Sequence, residues 1–331
     1  MLNKNISISI LRIFSMLLIF ICHIVQEHSN PYVNITAQFF NVGVPIFIII
    51  SGYLYGSYNF TISSKNWYTK RFKRIFIPLY SFLFFLFIIY IILGIKIEVF
   101  NWIIYILNLQ AIQIYIGGAE HLWFLTIIMF CYLITPFLNK FRTKFPTLNY
   151  LVFFTSLICI QILATYYINK QFGIYLIYIN LYISSYLLGM LQKITLNKRS
   201  FITSTILSIF IILLRLLGKF TLDSTIFYDV IFVGYTQSVL ALCIFYVFLY
   251  LFKNLSDSQL ITFLDSISFE FYLTHYMFIK FPLSVMNTTS SFLLNSLIAL
   301  VFTLLSAILL NKINNLILKL AIIKKQHIQA P

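Results

Sequence analysis

Ten long apolar runs follow one another along the chain, at about residues 6–27, 37–58, 75–94, 121–138, 149–168, 173–191, 201–218, 229–252, 263–286 and 291–318. A helix needs ~20 apolar residues to cross a ~30 Å hydrocarbon core, and these runs have that length. With 61% of side chains hydrophobic and 9% charged over 331 residues, the composition excludes a soluble domain. The expected fold is an all-α integral membrane protein, about ten transmembrane helices in one bundle. A further run, Trp102 to Ile116, has about fifteen residues and suits a short re-entrant or interfacial helix.

The net charge of +15 suggests nucleic-acid binding until the cations are placed. With the N-terminus inside, the inner loops collect Lys65, Lys70, Arg71, Lys73 and Arg74, then Lys140, Arg142 and Lys144, then Lys193, Lys198 and Arg199, then Lys253, Lys324 and Lys325. The outer loops keep Lys96, Lys170 and Lys219. This is the positive-inside bias of a multi-pass protein with both termini cytoplasmic, and no nucleic-acid partner is expected. A full crossing by Trp102–Ile116 would reverse every later loop and destroy the bias. The first run has no small-residue cleavage site after it and is expected to be retained as a helix. No long polar loop or linker interrupts the chain, so residues 1–320 read as one transmembrane domain and 321–331 as a short cytoplasmic tail. Cys22, Cys131, Cys159 and Cys243 lie inside apolar runs without metal-ligand spacing, so neither a disulfide nor a metal is expected.

Chemistry is expected where ionisable residues interrupt apolar runs, because such groups are costly in lipid and usually line an internal site. Arg12 and His23 are eleven positions apart, which returns a helix to within about 20° of its starting direction and separates them by roughly 16 Å. They share one face. In the second run, Gly43, Pro45, Ser51 and Gly52 suit close helix approach and a proline kink. After it, Arg71 and Arg74 lie three apart on one helical face, a topology signal or a fork for a phosphate. In GGAEHLWFL, Gly117 and Gly118 permit a tight bend, Glu120 and His121 bring ionisable groups to the membrane edge, and Trp123 is an interfacial anchor or a ring with one N–H donor. Glu270 and His275 share the ninth run, but five positions is about 500° of rotation, so their partners are expected on other helices.

The Arg12–His23 helix, VPIFIIISGYL, RFKR followed by Ile-Phe-Ile-Pro, HLWFL with Tyr132 and Pro136 behind it, and ISFEFYLTH resemble in order and spacing the bacterial membrane-bound acyltransferase family 3. The resemblance covers nearly the whole chain. It implies an O-acyltransferase of the plasma membrane that takes an acetyl group from cytoplasmic acetyl-CoA and modifies a cell-surface carbohydrate, like the stand-alone members without a fused esterase-like domain. It also implies roles for Arg12 and His23, for the cytoplasmic pair Arg71 and Arg74, for Trp123 and for His275. Glu270 has no place in the family pattern.

Under that reading, His23 is the expected base for the acceptor hydroxyl, since an unperturbed imidazole titrates near ~6.5. Arg71 and Arg74, helped by Lys70 and Lys73, would hold the CoA phosphates at the cytoplasmic mouth, with Arg12 one level deeper. Trp123, Ser51 and the backbone near Gly52 are alternative oxyanion donors, and His121, His275 and Glu270 are supporting residues. Direct transfer and an acyl-histidine intermediate both remain open, as do the acyl group, the acceptor and a homo-oligomeric state. Membrane lipid is the expected surrounding. The rival reading is a transporter or flippase that moves a glycan or acyl group without chemistry.

Overall fold

The computed structural model describes residues 6–57, 64–112, 115–141, 147–191, 194, 196–222 and 225–329, and the inner-loop cations Arg142, Lys144 and Lys193 lie outside them. Thirteen α-helices are described: α1 (Ile6–Gln26), α2 (Pro31–Ile35), α3 (Ala37–Phe40), α4 (Gly43–Ser57), α5 (Ser64–Ile92), α6 (Val99–Ile106), α7 (Trp123–Phe141), α8 (Thr147–Tyr167), α9 (Lys170–Leu191), α10 (Lys198–Thr221), α11 (Val233–Leu251), α12 (Gln259–Ile279) and α13 (Phe292–Gln329). No strand occurs among the described residues. The protein is an all-α, multi-pass membrane protein. Eight helical stretches are long and apolar enough to cross a bilayer. The other two expected runs form α8 and α12, 21 residues each. In α12, Asp265, Glu270 and His275 dilute the apolar character of a helix of that length.

Burial follows the inverted logic of a lipid solvent. On α10 the large side chains Ile206, Phe210, Leu213 and Leu217 are exposed, whereas Ile211, Arg215 and Gly218 form the buried stripe. On α13, Leu293, Leu297, Val301, Leu305 and Leu309 face outward while Ala299, Thr303, Ala307 and Asn314 face inward. Apolar residues repeating at three and four positions therefore mark the lipid face, and small or polar residues mark the packed face.

The chain divides into two compact units, the first comprising Met1–Ile19, Gln38–Ile62 and Ile127–Ile261 and the second Phe20–Ala37, Ser63–Thr126 and Thr262–Pro331. In the first, α4 lies against α9. A Cβ on Gly52 would strike Ser185 and the Tyr182 carbonyl, one on Gly56 the Tyr186 carbonyl, and one on Gly189 the Tyr53 carbonyl. Two small-xxx-small pairs, Gly52/Gly56 and Ser185/Gly189, thus let the backbones meet. Pro45 does not kink α4. It stands third in the helix, where its missing N–H has no intrahelical acceptor to lose. The second apolar run is instead broken before Gly43, and Gln237 of α11 holds the break by donating to the Asn41 carbonyl at 2.7 Å and to its Oδ1 at 2.9 Å.

In the second unit, residues 102–116 do not form one crossing helix. The eight-residue α6 ends before Asn108, whose φ of 56° turns the chain into a 3₁₀ turn at Gln110–Ile112. This irregular backbone is satisfied by protein: Thr126 Oγ1 donates to the Asn108 carbonyl at 2.9 Å, and the Ile116 N–H donates to the Tyr105 hydroxyl at 3.2 Å. Gly118, at φ 83°, makes the expected bend ahead of the 3₁₀ turn Glu120–Leu122, which delivers the chain into α7.

Candidate active site

Three histidines from three segments of the second unit meet. His121 and His275 have ring centroids 4.7 Å apart, and His23 and His275 5.4 Å. Tyr276 completes the cluster, edge-on to His23 at 4.8 Å and stacked on His121 at 5.0 Å. Each element has a local reason to present its residue. α1 places His23 one turn from its C-terminal end, the Gly118 bend turns His121 inward, and α12 carries His275 within a run buried from Glu270 to Ile279.

The hydrogen bonds fix which ring nitrogens carry protons. The Tyr272 carbonyl lies 2.8 Å from His121 Nε2 and 2.7 Å from His275 Nδ1. A carbonyl only accepts, so both nitrogens donate, which assigns the two tautomers from the network. His121 Nδ1 and His275 Nε2 are then the lone-pair nitrogens, and both are buried without a hydrogen-bond partner among the described residues. At His23, Nδ1 lies 3.2 Å from Gln26 Oε1, whose amide nitrogen is 3.6 Å from Cys22 Sγ. Nδ1–H donates there and Nε2 keeps its lone pair. His275 and His121 are 1% and 5% exposed, whereas His23 is half-buried and the least covered of the three rings. No group of three or more His, Cys, Asp and Glu among the described residues is arranged to hold a metal.

Around the cluster, the Tyr272 hydroxyl donates to the His121 carbonyl at 2.6 Å. Lys280 pairs with Glu27 at 3.1 Å, tying the end of α1 to the end of α12. Trp123 follows His121 by two residues as the half-buried first residue of α7.

The arginine pair lies on one helix, α5. Arg74 is exposed, and Arg71 is half-buried with its guanidinium 5.8 Å from the Trp67 ring centroid. Glu270 finds its partner on another helix: Oε1 accepts from Asn314 Nδ2 of α13 at 3.1 Å. Arg74 lies near enough for its charge to act on that carboxylate. Arg12 and Ser51 belong to the first unit. Arg12 is half-buried on α1, and Ser51 Oγ is 3.5 Å from the Tyr132 hydroxyl.

Sequence reasoning passed over Gln26, Tyr272 and Tyr276. Spacing carries part of the signal, since Gln26 stands three after His23 and Tyr272 three before His275, within side-chain reach on a helix.

A family model described as an acyltransferase domain, acyltransferase 3, matches residues 5–312. Comparison with curated proteins returns no match, and comparison with solved structures returns none. With the match spanning nearly the whole chain, this multi-pass membrane protein belongs to the acyltransferase 3 family and is an acyltransferase that transfers groups other than aminoacyl groups.

Proposed function

We propose that the chain transfers an acetyl or other short acyl group from cytoplasmic acyl-CoA to a hydroxyl of a cell-surface or exported glycan, in the bacterial plasma membrane with both termini inside. The observation that carries this reading is the hold on His23, the least buried ring of the cluster, whose Nδ1–H is held by Gln26 at 3.2 Å and whose ring is backed by Tyr276 and His275, leaving Nε2 with the lone pair. An imidazole so held suits general-base work.

The acceptor hydroxyl gives its proton to His23 Nε2 as its oxygen attacks the thioester carbonyl. The tetrahedral intermediate collapses with cleavage of the carbon–sulfur bond, and the sulfur leaves as CoA thiol after taking that proton back from the imidazolium. General-base help of this kind is worth roughly 10²–10⁴-fold. The burial of His121 and His275 keeps water away from the thioester. Arg71 and Arg74 hold CoA phosphates. Arg12 guides the entering arm. Trp123 remains a side-chain donor for the oxyanion.

The test is CoA-thiol release by purified protein in lipid, with acetyl-CoA and an extract of surface glycans. Acceptor-dependent release that disappears in His23→Ala supports the proposal. Release that is independent of acceptor, or unchanged in that variant, overturns it.

A further inference from the structure

We propose, on the basis of the acyl-transfer reading, that Glu27, Glu120, Tyr276 and Lys280 form the acceptor mouth over His23, and that its excess of negative charge selects an uncharged sugar over an anionic one. The charge bias that puts the N-terminus, Lys140 and Lys253 inside sends α1 and α12 outward and starts α7 at the outer face. The end of α1, the 3₁₀ turn Glu120–Leu122 and the end of α12 therefore share the outer side. Packing brings the last two together: a Cβ on Gly117 would strike the Phe281 ring, and one on Gly118 the Pro282 ring. The segment that carries Glu120 is thereby pressed against the one that follows Lys280.

Tyr276 is the side chain on which the polar groups converge. Its ring is edge-on to His23 at 4.8 Å and stacked on His121, its hydroxyl donates to the Glu120 carboxylate, and Lys280 Nζ lies 5.9 Å from its centroid. Glu27 accepts from Lys280 at 3.1 Å and lies near enough for its charge to act on Tyr276, as the charge of Lys280 acts on His23. Burial falls off outward: Tyr276 is 7% exposed, Glu120 and Lys280 are half-buried, and Glu27 is exposed. An acceptor that approaches His23 from outside passes these groups.

Each carboxylate has about four acceptor positions and uses one, Glu27 on Lys280 and Glu120 on Tyr276. The others accept from sugar hydroxyls in charge-assisted bonds. Two carboxylates against one ammonium leave the mouth one charge negative. A uronate or phosphate on the acceptor meets that charge beside low-dielectric hydrocarbon, where water screens it less than in bulk, and is repelled.

The experiment uses the full-length enzyme in phosphatidylcholine nanodiscs with acetyl-CoA, and a surface-glycan extract split by anion exchange into an unretained, uncharged fraction and a retained, anionic one. CoA-thiol release driven by the uncharged fraction supports the proposal. Release driven equally or better by the anionic fraction overturns it and leaves acyl transfer standing, whereas release with neither removes the acyl-transfer reading and this selection with it. Glu120→Gln turns a charged acceptor into a neutral one, so the amount of uncharged glycan needed for half-maximal rate should rise about tenfold with KM for acetyl-CoA unchanged. Equal changes in both, or a change in neither, make Glu120 a structural residue and overturn its part in the mouth. The double variant Glu27→Gln, Glu120→Gln leaves Lys280 as the remaining charge of the four and should let the anionic fraction serve as acceptor, a gain that damaged packing does not produce. Continued refusal of the anionic fraction by that variant overturns selection by charge. If Glu120→Gln does not fold, Glu27→Gln is read in the same way.

Discussion

Tyr272 holds His121 from two directions: its carbonyl accepts from His121 Nε2 at 2.8 Å, and its hydroxyl donates to the His121 carbonyl at 2.6 Å. Tyr272→Phe keeps the ring and the first bond but leaves a buried carbonyl bare. A cost of about 1–3 kcal/mol is expected. Thermal unfolding should show the loss, and acyl transfer should fall with it. An unchanged Tm with unchanged turnover would remove His121 from the working site.

His23→Ala should abolish transfer while sparing acetyl-CoA binding and folding, since it removes a half-buried imidazole and not a packing residue. Gln26→Leu keeps the imidazole and frees its orientation. It should lower kcat by roughly tenfold, the order expected for a misplaced general base, with KM for acetyl-CoA unchanged. Parallel changes in kcat and KM would mark Gln26 as structural instead.

Arg71→Ala and Arg74→Ala should each weaken acyl-CoA binding roughly tenfold or more, since a hydrogen bond to a charged group is worth about 1.5–3 kcal/mol. The double variant should be weaker than either single one. Titration of a non-hydrolysable acyl-CoA analogue on purified protein decides this, and unchanged affinity in the double variant reduces the pair to a topology signal.

Arg12→Lys retains the charge and loses the planar fork. If Arg12 guides a phosphate-bearing donor, the acetyl-CoA requirement should rise, because Lys does not replace Arg at a bidentate site. Initial rates across acetyl-CoA concentrations measure it. A variant with wild-type kinetics places Arg12 outside the donor path.

Gly56→Leu should destabilise the first unit by about 2–3 kcal/mol or more, as overpacking does in a tight core. The added side chain points at the Tyr186 carbonyl of α9, which is backbone and has no rotamer to yield. Unfolding in detergent is the readout, with Gly94→Ala as a poor control because its φ of 63° is itself strained by any side chain. A better control is an exposed position on α10 such as Ile206.

The sequence made legible what depends on one helix at a time. The first apolar run was enough to put Arg12 and His23 on one helix, and α1 carries both. The rotation between Glu270 and His275 was enough to send Glu270 elsewhere for a partner, found at Asn314. Contacts between distant segments were not legible. His121 and Tyr272 are 151 positions apart, and the break before Gly43 is held by Gln237, 196 positions from Asn41. Hydropathy joined residues 37–58 into one run because Asn41 alone does little to lower an apolar average. Arg215 was legible and went unremarked: like Arg12 it is an ionisable residue inside an apolar run, 201–218, and α10 buries it. The tautomers of the histidines are legible only from their acceptors, and the key acceptor is a backbone carbonyl.

The meeting of Gly52 and Gly56 with Ser185 and Gly189 has a mechanical consequence. With backbone against backbone there is no layer of long side chains between α4 and α9 to act as a hinge lubricant, and neither helix can slide by a turn without driving a Cβ into a carbonyl. The pair is a single strut. Ser51 and Tyr53, which ride on it beside those glycines, are carried as fixed fittings.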